Sequence, residues 1–221
     1  MKTLIGVPCM DMIHTRFVCS LMGLERIGQT HVDFKSGSLV YDSRNQITIV
    51  ALKENADRIL MIDSDMTFEP DLLKRLSADM DEGRELVAGL CFRRRVPMEP
   101  VIYQNLNEPE IGPDGIPRGT LQVYHDYPRD DIFQVDGCGF GCVMMTTELA
   151  RKVWDKYGPP FAPLPWAGED VSFCFRVKQL GIPMWCDSRV KVGHIGEVEY
   201  TEDMYQKNRD AEIRKGKTEG R

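Results

Sequence analysis

Residues 58–76 read RILMIDSDMTFEPDLLKRL. An apolar run, Ile59 to Ile62, stops abruptly at Asp63-Ser64-Asp65, and a Pro-led amphipathic stretch follows. A short continuous apolar run bounded by polar residues predicts a strand buried on both faces. Asp63 and Asp65 then fall where that strand leaves its sheet, and residues two apart on a strand share a face. Two carboxylates on one face repel unless a positive charge lies between them, and a divalent cation is a natural occupant. In open α/β sheets ligands collect at the carboxyl ends of strands. Asp-x-Asp is short, however, and the same residues read equally as a strand-end turn with two solvated aspartates.

Upstream, Thr3 to Val7 is a short apolar strand stopped by Pro8. From Asp11, Ile13, Phe17, Leu21, Leu24 and Ile27 recur at helical spacing, with Gly28 as the terminator. His31 to Phe34 reads as a second strand. Ser43 to Asn55 reads as a helix in which Ser43 and Gln46 form a capping box. That start puts Arg44 and Asn45 in the first turn, beside unpaired backbone N–H groups that suit an anion. An exposed surface arginine is the commoner outcome for such a position.

Downstream, Pro70 leads a helix carrying Leu72, Leu73 and Leu76, and Leu86 to Cys91 is another apolar strand. The order β-α-β-α-β-α-β predicts an α/β fold, a mostly parallel central sheet with helices on both faces. The rhythm breaks at Arg93. Residues 93–135 are rich in Pro, Gly and acids, with a turn at Asp114-Gly115 and short strands at Val101–Tyr103 and Leu121–Tyr124, a loop-rich antiparallel excursion. Arg93, Arg94 and Arg95 open it; they could meet a phosphate group, but three adjacent arginines on a loop are more often a solvated, mobile run.

Gly137, Gly139 and Gly141 alternate before a strand at Cys142–Met145, so they form no phosphate loop but let backbone pass close to something bulky. Thr146 caps a helix to Tyr157. A proline-broken loop then ends in Trp166, and Gly168-Glu169-Asp170 opens a helix with Phe173, Val177 and Leu180 on one face. Met184–Cys186 and Val190–Val192 are strand candidates, the latter ending in Gly193-His194. Residues 1–198 read as one domain and the polar stretch 199–221 as a mobile tail.

The 221 residues suffice for a single core, and the net charge of −6 disfavours a nucleic-acid or anionic-membrane surface. No apolar run approaches the ~20 residues a membrane span needs, and the N-terminus lacks the pattern of a secretory signal. Seven scattered cysteines favour a reduced, cytoplasmic chain; Cys138, Cys142, Cys186 and His194 fit no usual zinc spacing.

Glu169 and Asp170 stand at a helix N-terminus, where the dipole favours the ionised form. Such acids are often only caps, but an ionised carboxylate near a substrate hydroxyl is a general base. His194 is a strand-end histidine of the kind that is usually structural, yet a neutral imidazole would complete a set with Asp63 and Asp65. A mixed oxygen and nitrogen set suits Mn²⁺ better than Ca²⁺. Together these groups describe a cation holding a diphosphate leaving group and a carboxylate that deprotonates an acceptor hydroxyl.

In this order the elements resemble the GT-A glycosyltransferases, especially the family-2-like members of bacteria and phages. The resemblance runs from Thr3 to about Gly196 and rests on the strand ending in Pro8, Arg44-Asn45, Asp63-x-Asp65, the Gly137–Gly141 turn, Gly168-Glu169-Asp170 and His194. It implies a GT-A, Rossmann-like fold and a UDP- or GDP-linked sugar donor with Mn²⁺ or Mg²⁺, Mn²⁺ preferred. Asp63, Asp65 and His194 would form the metal site, Asp65 as direct ligand and Asp63 leaning to the ribose or the metal's waters. Asp170 would be the base of an inverting transfer, with Glu169 nearer the acceptor. Pro8, Cys9, Asp33 and Arg44 would meet the nucleotide, and Trp166 would wall the sugar pocket. The acceptor would be some hydroxyl-bearing molecule. Cys9-Met10 departs from the family's usual residues, which leaves the base open. Two alternatives stand beside this reading. A sugar-nucleotidyltransferase would need a Gly-rich basic loop after the first strand, where Pro8-Cys9-Met10-Asp11 stands. A non-catalytic nucleotide- or carbohydrate-binding module would have kept the fold and lost turnover.

Overall fold

The computed structural model describes residues 1–95, 97–196 and 199–219. In chain order the elements begin with β1 (Lys2–Cys9), α1 (Thr15–Gly23), β2 (Gln29–Ser36), α2 (Val40–Lys53), β3 (Arg58–Ile62), β4 (Met66–Phe68), α3 (Leu72–Asp81) and β5 (Leu86–Leu90). The excursion holds β6 (Ile102–Leu106), β7 (Glu110–Ile111), β8 (Pro117–Arg118) and β9 (Leu121–Val123). Then come β10 (Ile132–Val135), β11 (Gly137–Cys138), β12 (Cys142–Thr146), α4 (Thr147–Tyr157), α5 (Glu169–Gln179), β13 (Met184–Ile195), β14 (Glu199–Tyr200) and α6 (Glu202–Glu219).

The main sheet runs β10-β13-β5-β12-β3-β1-β2. Strands β2, β1, β3, β5 and β13 are mutually parallel, while β12 lies antiparallel between β3 and β5, and β10 antiparallel at the edge. Residues alternate between two cores along each strand. Ile59 and Met61 face one side with Ile47, Leu149 and Phe173; Leu60 and Ile62 face the other with Phe17, Leu73 and Leu76. This double burial is why the strand at Ile59–Ile62 carries no polar alternation. Leu60 and Leu73 are fully buried, and truncating either to Ala would cost about 2–5 kcal/mol. Gly6 lets α2 lie close on β1, since a Cβ there would run into Ile47.

Several boundaries differ from expectation. The first helix spans only Thr15–Gly23, because Leu24 turns extended and the Glu25 N–H bonds to the Pro70 carbonyl at 2.8 Å. Gly28, at φ +59°, shapes the turn into β2 rather than ending a helix. Helix α2 starts at Val40, one turn before Ser43, and Gln46 donates to Asp42 at 2.7 Å, so there is no Ser43–Gln46 capping box. Arg44 and Asn45 therefore lie beyond the first turn and away from its unpaired N–H groups. The expected cap at Thr146 is present, with its hydroxyl accepting from the Leu149 N–H at 3.0 Å.

The two expected strands after Pro183 are one, β13, with a register shift between Asp187 and Lys191. The excursion forms the small sheet β11-β6-β9 and the hairpin β7-β8, turning at Gly115 as expected. The stretch expected to be a mobile tail begins as β14 and α6, and Tyr205 is buried against Phe92 and Tyr127. An aromatic docked in the core holds this otherwise polar helix in place. All seven cysteines are free, and among the described residues no helix is long and apolar enough to cross a membrane.

Candidate active site

Two adjoining cavities open at the carboxyl ends of β1, β3 and β5. One, of about 300 Å³, is lined by Pro8, Cys9, Gly37, Ser43, Asp63 and Asp65. The other, of about 360 Å³, is lined by Arg44, Asp63, Phe140, Glu169, Asp170 and His194. Asp63 and Arg94 belong to both walls.

Strand β3 ends at Ile62, and the two aspartates sit on a turn beyond it, closed by the Met66 N–H donating to the Asp63 carbonyl at 3.2 Å. They are thus not alternate residues of one strand face, and their partners differ. Asp63 Oδ1 accepts from Arg44 Nη2 at 2.8 Å. Asp65 Oδ2 lies 2.9 Å from Arg94 Nη1 and 3.4 Å from His194 Nε2. Removal from water raises the Asp63 carboxyl above its ordinary range, opposed by Arg44 and aided by the charge of Asp65. Burial works to raise Asp65 too, but His194 and Arg94 bring it below its usual value. Neighbouring charges of opposite and like sign thus push the two carboxylates apart.

Arg44 is the structural surprise. Its position alone suggests an exposed arginine and the family resemblance a nucleotide contact; it is 3% exposed and joins two distant segments. Its Nη2 holds Asp63, its Nη1 lies 3.2 Å from Glu169 Oε1, and its guanidinium stacks over Phe140 at 5.4 Å. Burial works to lower its pKa, but Asp63, Glu169 and Asp170 carry it above the ordinary value. A buried guanidinium persists only when paired in this way.

Glu169 and Asp170 open α5 behind Gly168. Burial raises the Glu169 carboxyl against the pull of Arg44. Asp170 Oδ1 accepts from the Val171 N–H at 2.7 Å, and the residue forms part of the second cavity wall. Both acids line the second cavity, but their partners differ: Glu169 is tied to Arg44, and Asp170 to the Val171 N–H.

His194 lies on β13, paired with Met66 of β4. Its Nδ1 is 2.8 Å from the Phe92 carbonyl, which can only accept, so Nδ1 carries a hydrogen and Nε2 is the atom facing Asp65. This orientation leaves Nε2 as the available ligand atom. Asp65 Oδ1 is buried with no hydrogen-bond partner among the described residues. The 3.4 Å between Nε2 and Oδ2 is close to the roughly 3 Å separating adjacent ligands of an octahedral cation bound at about 2.1 Å. Asp65 and His194 thus fit a small divalent cation. Among the described residues, no three His, Cys, Asp or Glu side chains form a ready-made metal cluster, and Asp63 is held by Arg44 instead. Of the three residues expected to share a cation, Asp63 is turned to Arg44, while Asp65 and His194 face each other.

Of the remaining expected residues, Pro8 and Cys9 line the first cavity. Asp33 does not; it pairs with Lys35 at 3.1 Å on β2. Trp166 lines neither cavity, because its ring packs edge-on against Phe175 at 5.1 Å and over Gly119. Sequence reading missed Phe140 and set the phosphate reading of Arg93 and Arg94 second to a solvated run, although both line the second cavity. The signal for the arginines was their place straight after β5, another strand end at the ligand face. A larger cavity of about 560 Å³ lies along β4 and β13, between α1 and the start of α6. Four of its charged groups pair with one another, Arg16 with Glu199 and Lys191 with Glu202.

No family model matches the sequence, and no curated protein matches it. Among solved structures, the chain is similar to A197 from STIV, with a TM-score of 0.64 at 20% identity over 92% of each chain. It is also similar to GalNAc-T7, a glycosyltransferase solved with UDP, GalNAc and Mn²⁺, with a TM-score of 0.58 at 14% identity. That match covers 88% of this chain and 44% of GalNAc-T7. The fold is therefore α/β of the GT-A type, a mostly parallel sheet covered by helices with small antiparallel additions.

Proposed function

We propose that the protein is a metal-dependent glycosyltransferase that moves a sugar from a nucleoside-diphosphate donor to a hydroxyl acceptor with inversion. The single observation that carries this is the convergence of Asp63, Asp65, Asp170 and His194, from three distant segments, on two joined cavities at the sheet's ligand face. The GT-A likeness supports the same reading.

In this reading the first cavity takes the nucleoside, stacked against Pro8 and Cys9 beneath the turn at Gly37. Asp65 and His194 would hold Mn²⁺ or Mg²⁺, which when bound would supply positive charge beside the diphosphate leaving group. Arg44 fixes Asp63 at the junction of the cavities and holds Glu169 away from solvent, so Glu169 is a positioning residue. Asp170 takes the proton of the acceptor hydroxyl as its oxygen bonds to the anomeric carbon. The bond from that carbon to the diphosphate breaks, and the nucleoside diphosphate leaves.

The deciding experiment incubates the protein with UDP- and GDP-linked sugars, with Mn²⁺ or with EDTA. Metal-dependent release of nucleoside diphosphate, slow without acceptor, is the expected result. Tight donor binding with no release and no transfer would instead make the chain a binding module.

A further inference from the structure

The three consecutive arginines after β5 do not behave alike. Arg93 and Arg95 both turn to Glu99, Arg93 at 3.1 Å, and Arg93 also donates to the Tyr103 hydroxyl at 3.1 Å. Arg94, between them, reaches the other way. Its Nη1 lies 2.9 Å from Asp65 Oδ2 and donates to the Ile195 carbonyl at 3.2 Å, which places the guanidinium beside His194 and in the wall shared by both cavities. Its side chain remains 47% exposed, against 3% for Arg44. One arginine is therefore built in and the other is merely resting on its carboxylate.

Asp65 is also the residue best fitted to a cation, and its oxygens are unequally used. Oδ2 meets both Arg94 and His194, while Oδ1 is buried with no partner among the described residues. A cation placed between Asp65 Oδ2 and His194 Nε2 would lie beside the Arg94 guanidinium on the same oxygen, where the two positive charges repel. A bare cation must therefore compete with Arg94 for Asp65. A cation arriving with a diphosphate presents a different balance, because the displaced guanidinium gains phosphate oxygens that it can grip with two parallel hydrogen bonds. A half-exposed ion pair is weak and easily exchanged.

We propose that Arg94 is an internal counter-cation that passes from Asp65 to the donor's diphosphate, so that the protein takes up cation and diphosphate together rather than one before the other. This rests on the glycosyltransferase reading of the site and adds to it an order of binding and a residue that enforces it. By linkage the coupling is reciprocal: each ligand tightens the other by the same factor.

Inorganic pyrophosphate, the group common to every such donor, is the probe, with Mn²⁺ as the cation. Calorimetry would measure Mn²⁺ alone, pyrophosphate alone, and pyrophosphate with Mn²⁺ present, on the parent protein and on Arg94→Gln and Arg94→Lys. The parent binds Mn²⁺ alone weakly and binds the pair with a synergy of about tenfold or more, within the usual range of site coupling. Arg94→Gln binds Mn²⁺ alone about tenfold more tightly and loses the synergy; Arg94→Lys, which keeps the charge, restores part of it. Equal Mn²⁺ affinity and equal synergy in the parent and Arg94→Gln would overturn the role of Arg94 while leaving the site reading intact. No binding of Mn²⁺ to the parent or to Arg94→Gln, with or without pyrophosphate, would overturn both.

Discussion

Arg44 Nη2 lies 2.8 Å from Asp63 Oδ1, and the guanidinium making that contact is almost wholly buried. The pair joins α2 to the turn after β3, and the same guanidinium reaches Glu169 at the start of α5. Without this cation, two partly buried carboxylates would face each other with nothing between them. Arg44→Met should therefore destabilise the fold by about 3–5 kcal/mol, the cost of breaking a buried pair by removing one partner. Arg44→Lys should recover little, because a single ammonium cannot serve Asp63 and Glu169 as a planar fork does. Urea unfolding of both variants checks this, and near-parental stability in Arg44→Met would show that the pair is not structural.

Asp65 and His194 should act as one unit toward a cation. Asp65→Ala should abolish metal-dependent binding of a nucleoside diphosphate, and His194→Ala should weaken it at least tenfold, on the order of losing one ligand of a small set. Asp33→Ala should leave the metal dependence unchanged, since its side chain pairs with Lys35 outside both cavities. Calorimetry with and without EDTA separates these variants. Metal-dependent binding surviving in Asp65→Ala would remove that residue from the cation site.

The neighbouring acids on α5 should part company under substitution. Asp170→Asn should bind donor nearly as the parent does but transfer sugar ~10²–10⁴-fold more slowly, the usual span for losing a general base. Glu169→Gln should instead lower stability, because it leaves Arg44 without half of its compensating charge. Measuring turnover and thermal unfolding together distinguishes the roles. Parental turnover in Asp170→Asn would make that residue only a helix-terminal acid.

The sheet was legible in the sequence because Ile59–Ile62, Leu86–Cys91 and Cys142–Met145 are apolar without alternation, a pattern that only double burial explains. The caps at Thr146 and Gly168 were legible because capping is local chemistry. Arg44 was not, since its meaning depends on Asp63 and Glu169, residues that only the fold brings near it. Moving the start of α2 back to Val40 also changed which turn Arg44 occupies, and boundary shifts of that size are beyond residue patterns. Trp166 failed for a similar reason: a loop aromatic next to a site can face either way, and here Phe175 and Gly119 claim its ring. The arginine run after β5 was misread because a charge run carries no direction until Glu99 takes two of its members.

Away from the cavities, Asp79 on α3 and Asp187 on β13 are buried against each other, with Arg189 as their cation at 2.9 Å from Asp79 and 2.8 Å from Asp187. Burial, then the hydrogen bond and charge of Asp187, push the Asp79 carboxyl up to about 7. Burial also works to raise Asp187, but Arg189 and the hydrogen bond from Asp79 hold it below its ordinary range. Asp79 Oδ2, buried with no hydrogen-bond partner among the described residues, is the oxygen suited to carry the shared proton. Because the folded pKa of Asp79 exceeds the unfolded carboxylate value of about 3.9, its contribution to stability is complete below that value and is lost as pH rises through about 7. Asp187 works in the opposite sense, losing its contribution as pH falls below the ordinary carboxylate range. Asp79→Asn keeps a donor for Asp187 and an acceptor for Arg189 at every pH. Relative to the parent, its stability should rise steadily from pH 5 to pH 8.5, where the parent must hold two carboxylates on one arginine. Urea unfolding at the two pH values tests this, and a difference between the proteins that does not change with pH would mean that Asp79 and Asp187 do not share a proton.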